Sequence, residues 1–154
     1  QIARHGAVSA VANNNLYIIG GFDGRRRLAS AESFDPTTSQ WLVQPPMAAP
    51  CHRAAGIALV GCIYVCGGDR GSEISSTVVE CFNTSTRTWS EHVPLQQGRS
   101  RAAICSSGDC IYIFGGVNNE DLKLASAELF DPSTMCWKSI PALPGARIGA
   151  VAFS

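Results

Sequence analysis

The sequence lacks an excess of charge of either sign, and it lacks a long apolar run. Twelve lysine and arginine residues balance twelve aspartate and glutamate residues in a chain of 154, so the formal net charge is zero. Nucleic-acid and membrane-surface binding normally need a clear basic excess, so we expect neither partner. No apolar segment reaches the ~20 residues that span a bilayer, and no charged-then-apolar signal segment is present. The chain begins at Gln1 rather than Met, and we expect it to be an excised or processed piece.

Common catalytic and phosphate-binding motifs are also missing. The double glycines of this chain are not part of a Gly-x-x-x-x-Gly-Lys loop, and no following helix is indicated. Neither a nucleophile elbow nor a Ser-His-Asp pattern occurs. These absences favour a binding module over a hydrolase or a nucleotide-dependent enzyme.

Closely paired cysteines are absent, because none of the seven cysteines belongs to a Cys-x-x-Cys motif. Their number is odd, and Cys66 and Cys81 stand where equivalent positions in the chain are apolar. A free cysteine behaves as a small hydrophobe. We therefore predict reduced, mostly buried thiols in a cytoplasmic, intracellular protein. A disulfide framework or a zinc site is the alternative.

What the sequence does contain is one segment that occurs three times. A short apolar run with a tyrosine, ended by two glycines, covers residues 16–21, 63–68 and 111–116. Three other residue types recur with a spacing of 48, namely Trp41, Trp89 and Trp137; Glu32, Glu80 and Glu128; and Phe34, Phe82 and Phe130. Periods of this length indicate a propeller, a solenoid or an array.

Each unit is predicted to contain four strands and no helix. The first strand is small and apolar, the second is the tyrosine and double-glycine run, and the fourth holds the tryptophan. The third ends in a turn that begins with Asp or Asn, which is typical of type I turns. The predicted first and third strands are residues 7–11, 54–60 and 102–105, and residues 31–34, 78–82 and 127–130, respectively. Four short strands repeated at this period are typical of propeller blades.

These residues together resemble the kelch repeat, whose period is about 50 residues. Arg-x-Gly stands near the first strand, Tyr and Gly-Gly on the second, Glu-x-Phe-Asp-Pro on the third and Trp on the fourth. The second copy departs from this pattern, because Cys51 replaces the arginine and Asn83-Thr84 replaces Asp-Pro. The resemblance implies an all-β, kelch-type β-propeller segment with three four-stranded blades and an extra terminal strand. The expected repeats cover residues 4–50, 51–98 and 99–146, and a further repeat begins at 147–154.

Three blades would leave two sheet faces uncovered. Monomers rarely expose a contiguous apolar patch above ~600 Å². We therefore expect the chain to be half of a six-bladed ring, closed either by a second copy or by further blades of a longer parent chain. The surplus strand that starts at Arg147 favours the parent chain.

In kelch propellers that bind peptides, one face is built from the residues that lead into each first strand and from the loops after the glycine pairs. Carried over by position, the partner-binding candidates are Arg4, His5, His52, Arg53, Arg99, Ser100, Arg101, Arg147, Phe22, Arg25, Arg70, Asn118 and Asn119. Arginine binds carboxylates through two parallel hydrogen bonds, so an acidic peptide is the expected ligand. The alternative is that the motif arginines Arg4, Arg99 and Arg147 support their own blades. The glutamate at the start of each third strand is expected to bind backbone or an arginine within its blade.

The resemblance implies a protein–protein interaction module, as in the substrate adaptors of ubiquitin ligases. One alternative is a cytoskeletal, actin-associated kelch protein. Another is a kelch-like enzyme, either an oxidase or one that processes sugars or thioglucosides. A metal in such an enzyme would fall to His5, Cys51 and His52, because the two histidines are equivalent positions of adjacent repeats. We expect no catalytic residue, metal or cofactor.

Overall fold

The computed structural model describes residues 2–152 and consists of strands and loops without a helix. Within these residues the chain forms twelve strands of five residues each. They are β1 Val8–Ala12, β2 Asn15–Ile19, β3 Ala31–Asp35, β4 Gln40–Gln44, β5 Ala55–Leu59, β6 Cys62–Cys66, β7 Val79–Asn83, β8 Thr88–His92, β9 Ala103–Ser107, β10 Cys110–Phe114, β11 Ala127–Asp131 and β12 Cys136–Ile140. No helix in residues 2–152 is long and apolar enough to cross a bilayer.

The strands form three antiparallel sheets, each with its four strands in chain order. We call β1–β4 blade 1, β5–β8 blade 2 and β9–β12 blade 3. The first strands β1, β5 and β9 are neighbours across the blades, so they line the inner side of the assembly. The prediction of an all-β fold with three four-stranded blades is confirmed.

The recurring aromatic residues hold consecutive blades together. In every blade the phenylalanine of the third strand pairs with the tryptophan of the fourth, as in Phe82 opposite Trp89. Tyr17 of blade 1 packs against Phe82 of blade 2 with 6.0 Å between ring centroids, and Trp89 Nε1 donates to the Pro45 carbonyl over 2.8 Å. Aromatic side chains bury large apolar areas and tolerate one polar edge that finds a partner. The same pair of contacts joins blade 2 to blade 3.

The double glycine is required because the backbone of the next blade crosses it. Gly67 has φ +66°, and a Cβ there would lie 2.3 Å from the Arg99 carbonyl oxygen. Gly68 donates its N–H to that same carbonyl over 2.9 Å. Only glycine combines the positive φ with this close approach. The motif therefore fixes where each loop leaves its blade and where the next blade begins.

The expected extra strand after Arg147 is not present in residues 147–152. The segment starts as the earlier repeats do, because the Arg147 carbonyl accepts the Gly116 N–H and Gly149 donates to the Arg101 carbonyl. A β-strand needs a neighbouring strand for its remaining backbone groups. Residues 147–152 include no second strand of this repeat with which the segment could pair; Phe153 and Ser154 lie outside the described residues.

Candidate functional site

The lead-in turns of successive blades are connected by backbone hydrogen bonds on the inner side of the assembly. Arg53 N–H donates to the Gly6 carbonyl over 2.8 Å, Arg101 N–H to the Arg53 carbonyl over 2.9 Å, and Gly149 N–H to the Arg101 carbonyl over 2.9 Å. These four residues hold equivalent positions, and all have a left-handed backbone with φ between 55° and 63°. Two of the four positions thus carry arginine where the other two carry glycine.

A left-handed backbone is strained for arginine, at a cost of about 1–2 kcal/mol per residue. The hydrogen bonds from blade to blade hold Arg53 and Arg101 in this conformation. Strain retained at equivalent positions of two blades indicates that the arginine side chains have a use other than stability.

Both arginine side chains line a cavity of about 340 Å³ between blades 2 and 3. We call it the axial cleft; its lining residues are Arg53, Ile74, Ser100, Arg101, Val117 and Asp121. Among residues 2–152 neither guanidinium group has a hydrogen-bond partner. Two cationic groups face one carboxylate in this cleft, so its net charge favours an anionic ligand.

A network of buried hydroxyl groups forms the base of the axial cleft. Ser75 Oγ donates to the Val117 carbonyl over 2.7 Å and lies 3.3 Å from Ser100 Oγ. The Ser75 N–H is bound by Asn119 Oδ1 from the loop of blade 3. Since Ser75 and Ser100 are buried, this network fixes the loop of blade 2 against blade 3. The cleft therefore has a preformed floor.

The motif arginines lie inside their blades. Arg99 is fully buried, donates to the Gly115 and Ser126 carbonyls and forms an ion pair with Glu128 over 2.7 Å. Arg4 makes the same set of contacts in blade 1, with an ion pair of 2.6 Å to Glu32. Their side chains are thus withdrawn from direct partner contact, which corrects the expectation that they belong to the binding face. The glutamates bind as expected, because Glu128 also accepts the Gln96 and Gln97 N–H groups.

Blade 2 lacks this arginine and obtains its cation from another segment. Cys51 stands at the motif position, where its thiol donates to the Gly67 carbonyl over 3.4 Å. Arg70, from the loop after the glycine pair, reaches inward and forms an ion pair with Glu80. Its side chain is only 8% exposed. Arg70 is therefore also withdrawn from the surface, unlike the prediction, because Glu80 needs a buried partner.

A second cluster of predicted residues joins blades 1 and 2. The rings of His5, Phe22 and His52 lie 5.0–5.6 Å from one another. Arg27 crosses from blade 1 and binds both carboxylate oxygens of Asp69 at 2.7 and 2.8 Å. Burial lowers the pKa of His52, and the nearby charge of Arg53 acts in the same direction. Apart from the His5–Phe22 contact within blade 1, the contacts of this cluster join blade 1 to blade 2, and His5 remains exposed.

The remaining predicted residues lie on exposed loops. Arg25 and Arg147 have exposed side chains, and the Arg147 guanidinium group donates to the Ala146 carbonyl. Asn118 Oδ1 accepts the Glu120 and Leu122 N–H groups and closes its own loop. Residues 2–152 contain no group of three or more His, Cys, Asp or Glu side chains that could hold a metal ion; His5 and His52 lie close together, but Cys51 does not complete a three-residue group with them.

Ile74 and Val117, which line the cleft, and Ser75, which lies at its floor, were not among the binding residues predicted from the sequence. Ile74 and Ser75 lie in the polar loop of blade 2, which has no counterpart of equal sequence in the other blades. One signal was available for the arginines. Gly6 and Gly149 stand at the positions of other repeats that are equivalent to Arg53 and Arg101. Glycine at equivalent positions indicates a left-handed backbone.

The comparison with protein families finds the Kelch motif at residues 3–48, 50–95 and 98–144. Similar proteins include Kelch-like protein 35 of Homo sapiens, 36% identical over 72 residues, which are 47% of this chain and 12% of that protein. The Influenza virus NS1A-binding protein homolog of Mus musculus is 37% identical over 71 residues, covering 46% of this chain and 11% of that protein. Alpha-scruin of Limulus polyphemus is 30% identical over 84 residues, which are 50% of this chain and 9% of that protein.

The matched segments span only about a tenth of these relatives, so the similarity concerns the repeats alone. The three family matches together cover most of the chain and coincide with its three blades. The glycine pair, the glutamate, the aromatic pair and the turn that the repeats share all have a structural role in those blades. The chain is therefore a member of the kelch-motif family and a protein-interaction module built from three kelch blades.

Proposed function

We propose that the chain recognises an acidic segment of a partner protein in the axial cleft. The observation that carries the proposal is the state of its arginines. Arg4, Arg70 and Arg99 are all paired with glutamates inside the blades. Arg53 and Arg101 line the cleft, and their guanidinium groups have no partner among the described residues. A guanidinium fork binds a carboxylate through two charge-assisted hydrogen bonds.

The other lining residues define what accompanies the carboxylate. Ile74 and Val117 supply apolar contact, and Ser100 supplies a hydroxyl group. A cavity of about 340 Å³ accommodates one or two side chains rather than a folded surface. The ligand that fits is a loop or an extended peptide with one or two acidic residues beside an aliphatic residue.

For the whole protein we propose a role as a substrate adaptor that acts by binding rather than by catalysis, as in ubiquitin ligases. Support comes from the regular repeats and from the similarity to Kelch-like protein 35. A cytoplasmic location accompanies this proposal. All seven cysteines are free thiols, which suits a reducing compartment.

We further propose that other blades cover the two open blade faces. Trp41 of blade 1 is 39% exposed, whereas its equivalent Trp137 is 5% exposed against blade 2. Ile2, Ile18 and Trp41 line an open cavity at the place where a preceding blade would pack. The 154-residue chain alone would satisfy these faces by self-association.

The acidic-peptide proposal is tested by fluorescence anisotropy with two labelled peptide libraries. One library carries Glu at two variable positions, and the other carries Gln at the same positions. We expect binding of the Glu library alone, with a marked dependence on ionic strength. Arg53→Gly and Arg101→Gly are each expected to weaken binding about tenfold or more, since a charge-assisted hydrogen bond contributes roughly 1.5–3 kcal/mol. Arg25→Gly serves as the control. Equal binding of the peptide by all three variants would exclude the axial cleft as its binding site.

A further inference from the structure

A second cleft, of about 270 Å³, lies between blade 1 and the outer part of blade 2. Its lining includes Ala48 and Ala49 from the link between the blades, and Arg70, Val78, Trp89 and Glu91 from blade 2. None of its lining residues belongs to the axial cleft. We call it the link cleft.

The link cleft exists because two short side chains replace two long ones. Ala48 and Ala49 are equivalent to Gln96 and Gln97, which precede blade 3 at a distance of 48 residues. The equivalence holds in the backbone, since Ala48 N–H donates to Glu80 and Gln96 N–H donates to Glu128. At blade 3 the glutamine side chains occupy the corresponding space.

The two glutamines at blade 3 show which chemistry this space accepts. Gln96 Nε2 donates to the Trp137 carbonyl over 2.8 Å, and Gln96 Oε1 accepts from Ser139 Oγ over 2.7 Å. Gln97 Oε1 accepts from Ser126 Oγ deeper in the blade. Each carboxamide therefore finds a hydrogen-bond partner on the blade that follows it, and Gln96 finds both a donor and an acceptor.

Blade 2 keeps the tryptophan carbonyl of this set, whereas Glu91 and Val78 stand in place of the hydroxyl donors Ser139 and Ser126, and its link has no side chain that uses the carbonyl. Trp89 has the register of Trp137, so its carbonyl stands in the place of the carbonyl that binds Gln96. Glu91 stands in the place of Ser139 and is exposed at the mouth of the link cleft. The mouth thus offers acceptors for an N–H donor.

The buried end of the link cleft offers donors. One nitrogen of Arg70 binds Glu80, but Nε and Nη2 are buried and have no hydrogen-bond partner among the described residues. Buried N–H groups without a partner are rare and costly, so an acceptor oxygen beside Arg70 would be favourable. The charge of Arg70 is already balanced by Glu80, and Glu91 adds a negative charge. A second carboxylate is therefore disfavoured.

We propose that the link cleft binds a carboxamide, carried by a glutamine or asparagine side chain of a partner or by a small primary amide. A carboxamide has an acceptor oxygen and an NH₂ donor on one carbon and bears no charge. The oxygen accepts from Arg70, and the NH₂ group donates to the Trp89 carbonyl or to Glu91. Val78, the two alanines and the Trp89 ring contact the aliphatic part. This site does not depend on the function of the axial cleft.

The binding test follows the indole ¹H–¹⁵N signal of Trp89 during titrations of the 154-residue chain. The probes are propionamide, N-acetylglutamine N-methylamide and the glutamate and methionine analogues of that blocked residue. We expect saturable shifts with the two amides, and binding about tenfold weaker or absent with the other two probes. Tighter binding of blocked glutamine than of propionamide would assign the site to a protein partner, and equal binding to a free amide. Equal or tighter binding of the glutamate or methionine analogue would overturn the proposal, as would the absence of any shift with the amides.

A second experiment fills the link cleft from within. The double variant Ala48→Gln with Ala49→Gln restores the side chains that blade 3 uses, and Ala48→Met with Ala49→Met adds similar length without an amide. We expect the glutamine variant to unfold at a higher temperature than both the methionine variant and the parent, and to abolish the shifts caused by propionamide. A methionine variant of equal or greater stability would show that the cleft accepts any apolar chain, and the proposal would fail.

Discussion

Arg70 and Glu80 form a buried ion pair of 2.5 Å in the blade whose motif arginine is replaced by Cys51. In blades 1 and 3 the equivalent glutamate is bound by the motif arginine that leads into the first strand. Each blade thus pairs its buried glutamate with an arginine, but in blade 2 that arginine comes from a different segment of the repeat. Blade 2 depends on its loop for a contact that the other blades take from their lead-in residue.

Replacing Arg70 by alanine is expected to destabilise the fold by about 3–5 kcal/mol, because Glu80 would remain buried without its partner. Urea unfolding monitored by tryptophan fluorescence measures this loss. The double variant Cys51→Arg with Arg70→Ala returns the cation to the motif position and is expected to recover much of it. Arg25→Ala is the control for loss of a loop arginine. A cost of Arg70→Ala no larger than that of Arg25→Ala would contradict the role of the ion pair.

Arg53→Gly and Arg101→Gly are each expected to raise the free energy of unfolding by about 1 kcal/mol. The same substitutions are expected to weaken binding of the acidic peptide. Glycine accepts the left-handed backbone without strain and already occupies this position at Gly6 and Gly149. Chemical unfolding and peptide binding are measured on the same samples. Arg25 is not in the left-handed region, so Arg25→Gly is not expected to stabilise. A loss of stability in both cleft variants would show that the arginines support the fold instead.

Val60→Asn is expected to stabilise the chain by about 0.5–1 kcal/mol. Val60 and Gly61 connect β5 to β6 with φ +48° and +74°, and Val60 is 83% exposed. Such a two-residue turn favours Asn-Gly, whereas a β-branched residue is strained at positive φ. Val11, an exposed residue within β1, provides the matched control, since Val11→Asn removes a good strand former. Equal effects of the two substitutions on the urea midpoint would argue against strain at Val60.

Cysteine reactivity is expected to differ sharply between sites. Burial raises the pKa of Cys51 to about 11 and also raises the pKa of Cys66, so both remain thiols near neutral pH. Cys136 is exposed. A thiol-specific reagent such as DTNB at pH 8 should modify Cys136 rapidly, and Cys51 and Cys66 only after unfolding. Rapid labelling of Cys51 in the folded chain, located by peptide mass spectrometry, would contradict this expectation.

The raised thiol pKa of Cys51 also predicts a loss of stability in alkali. The neutral thiol is favoured in the folded state, so its contribution is complete below the unfolded pKa near 9 and is lost as the pH rises through about 11. Thermal midpoints measured between pH 8 and pH 11 should fall, and the fall should be smaller in Cys51→Ala. An identical pH profile for parent and variant would remove Cys51 as a cause.

Self-association of the 154-residue chain is expected from its open blade faces. Sedimentation velocity should show a dimer or larger species, and Trp41→Arg should shift the distribution towards the monomer by placing a charge on the open face of blade 1. Met135→Arg, at the exposed turn between β11 and β12, controls for added charge. A well-folded monomer at all concentrations would refute the proposal that these faces are covered.

Internal repetition made the blades predictable, because glycine pairs, glutamates and aromatic residues recur at one spacing and each has the same structural task. Features outside that register were not predictable. Arg70 occupies a loop position where the other repeats carry Asp23 and Asn118, so its pairing with Glu80 depends on three-dimensional packing. The prediction of a terminal strand was wrong for a related reason. Its sequence resembles a first strand, but residues 2–152 do not contain the second strand with which it would pair. The left-handed backbone of Arg53 and Arg101 was partly predictable, because two of the four equivalent positions carry glycine, which indicates this conformation.

The hydrogen-bonded series from Gly6 through Arg53 and Arg101 to Gly149 has a consequence for how binding specificity can change. Each blade contributes one side chain at a place that its backbone fixes, and the backbone tolerates both glycine and arginine there. A single substitution per blade can therefore add or remove a charge without altering the scaffold. Related propellers can therefore change their ligand specificity one blade at a time, because the residue at this position can vary in one blade independently of the others.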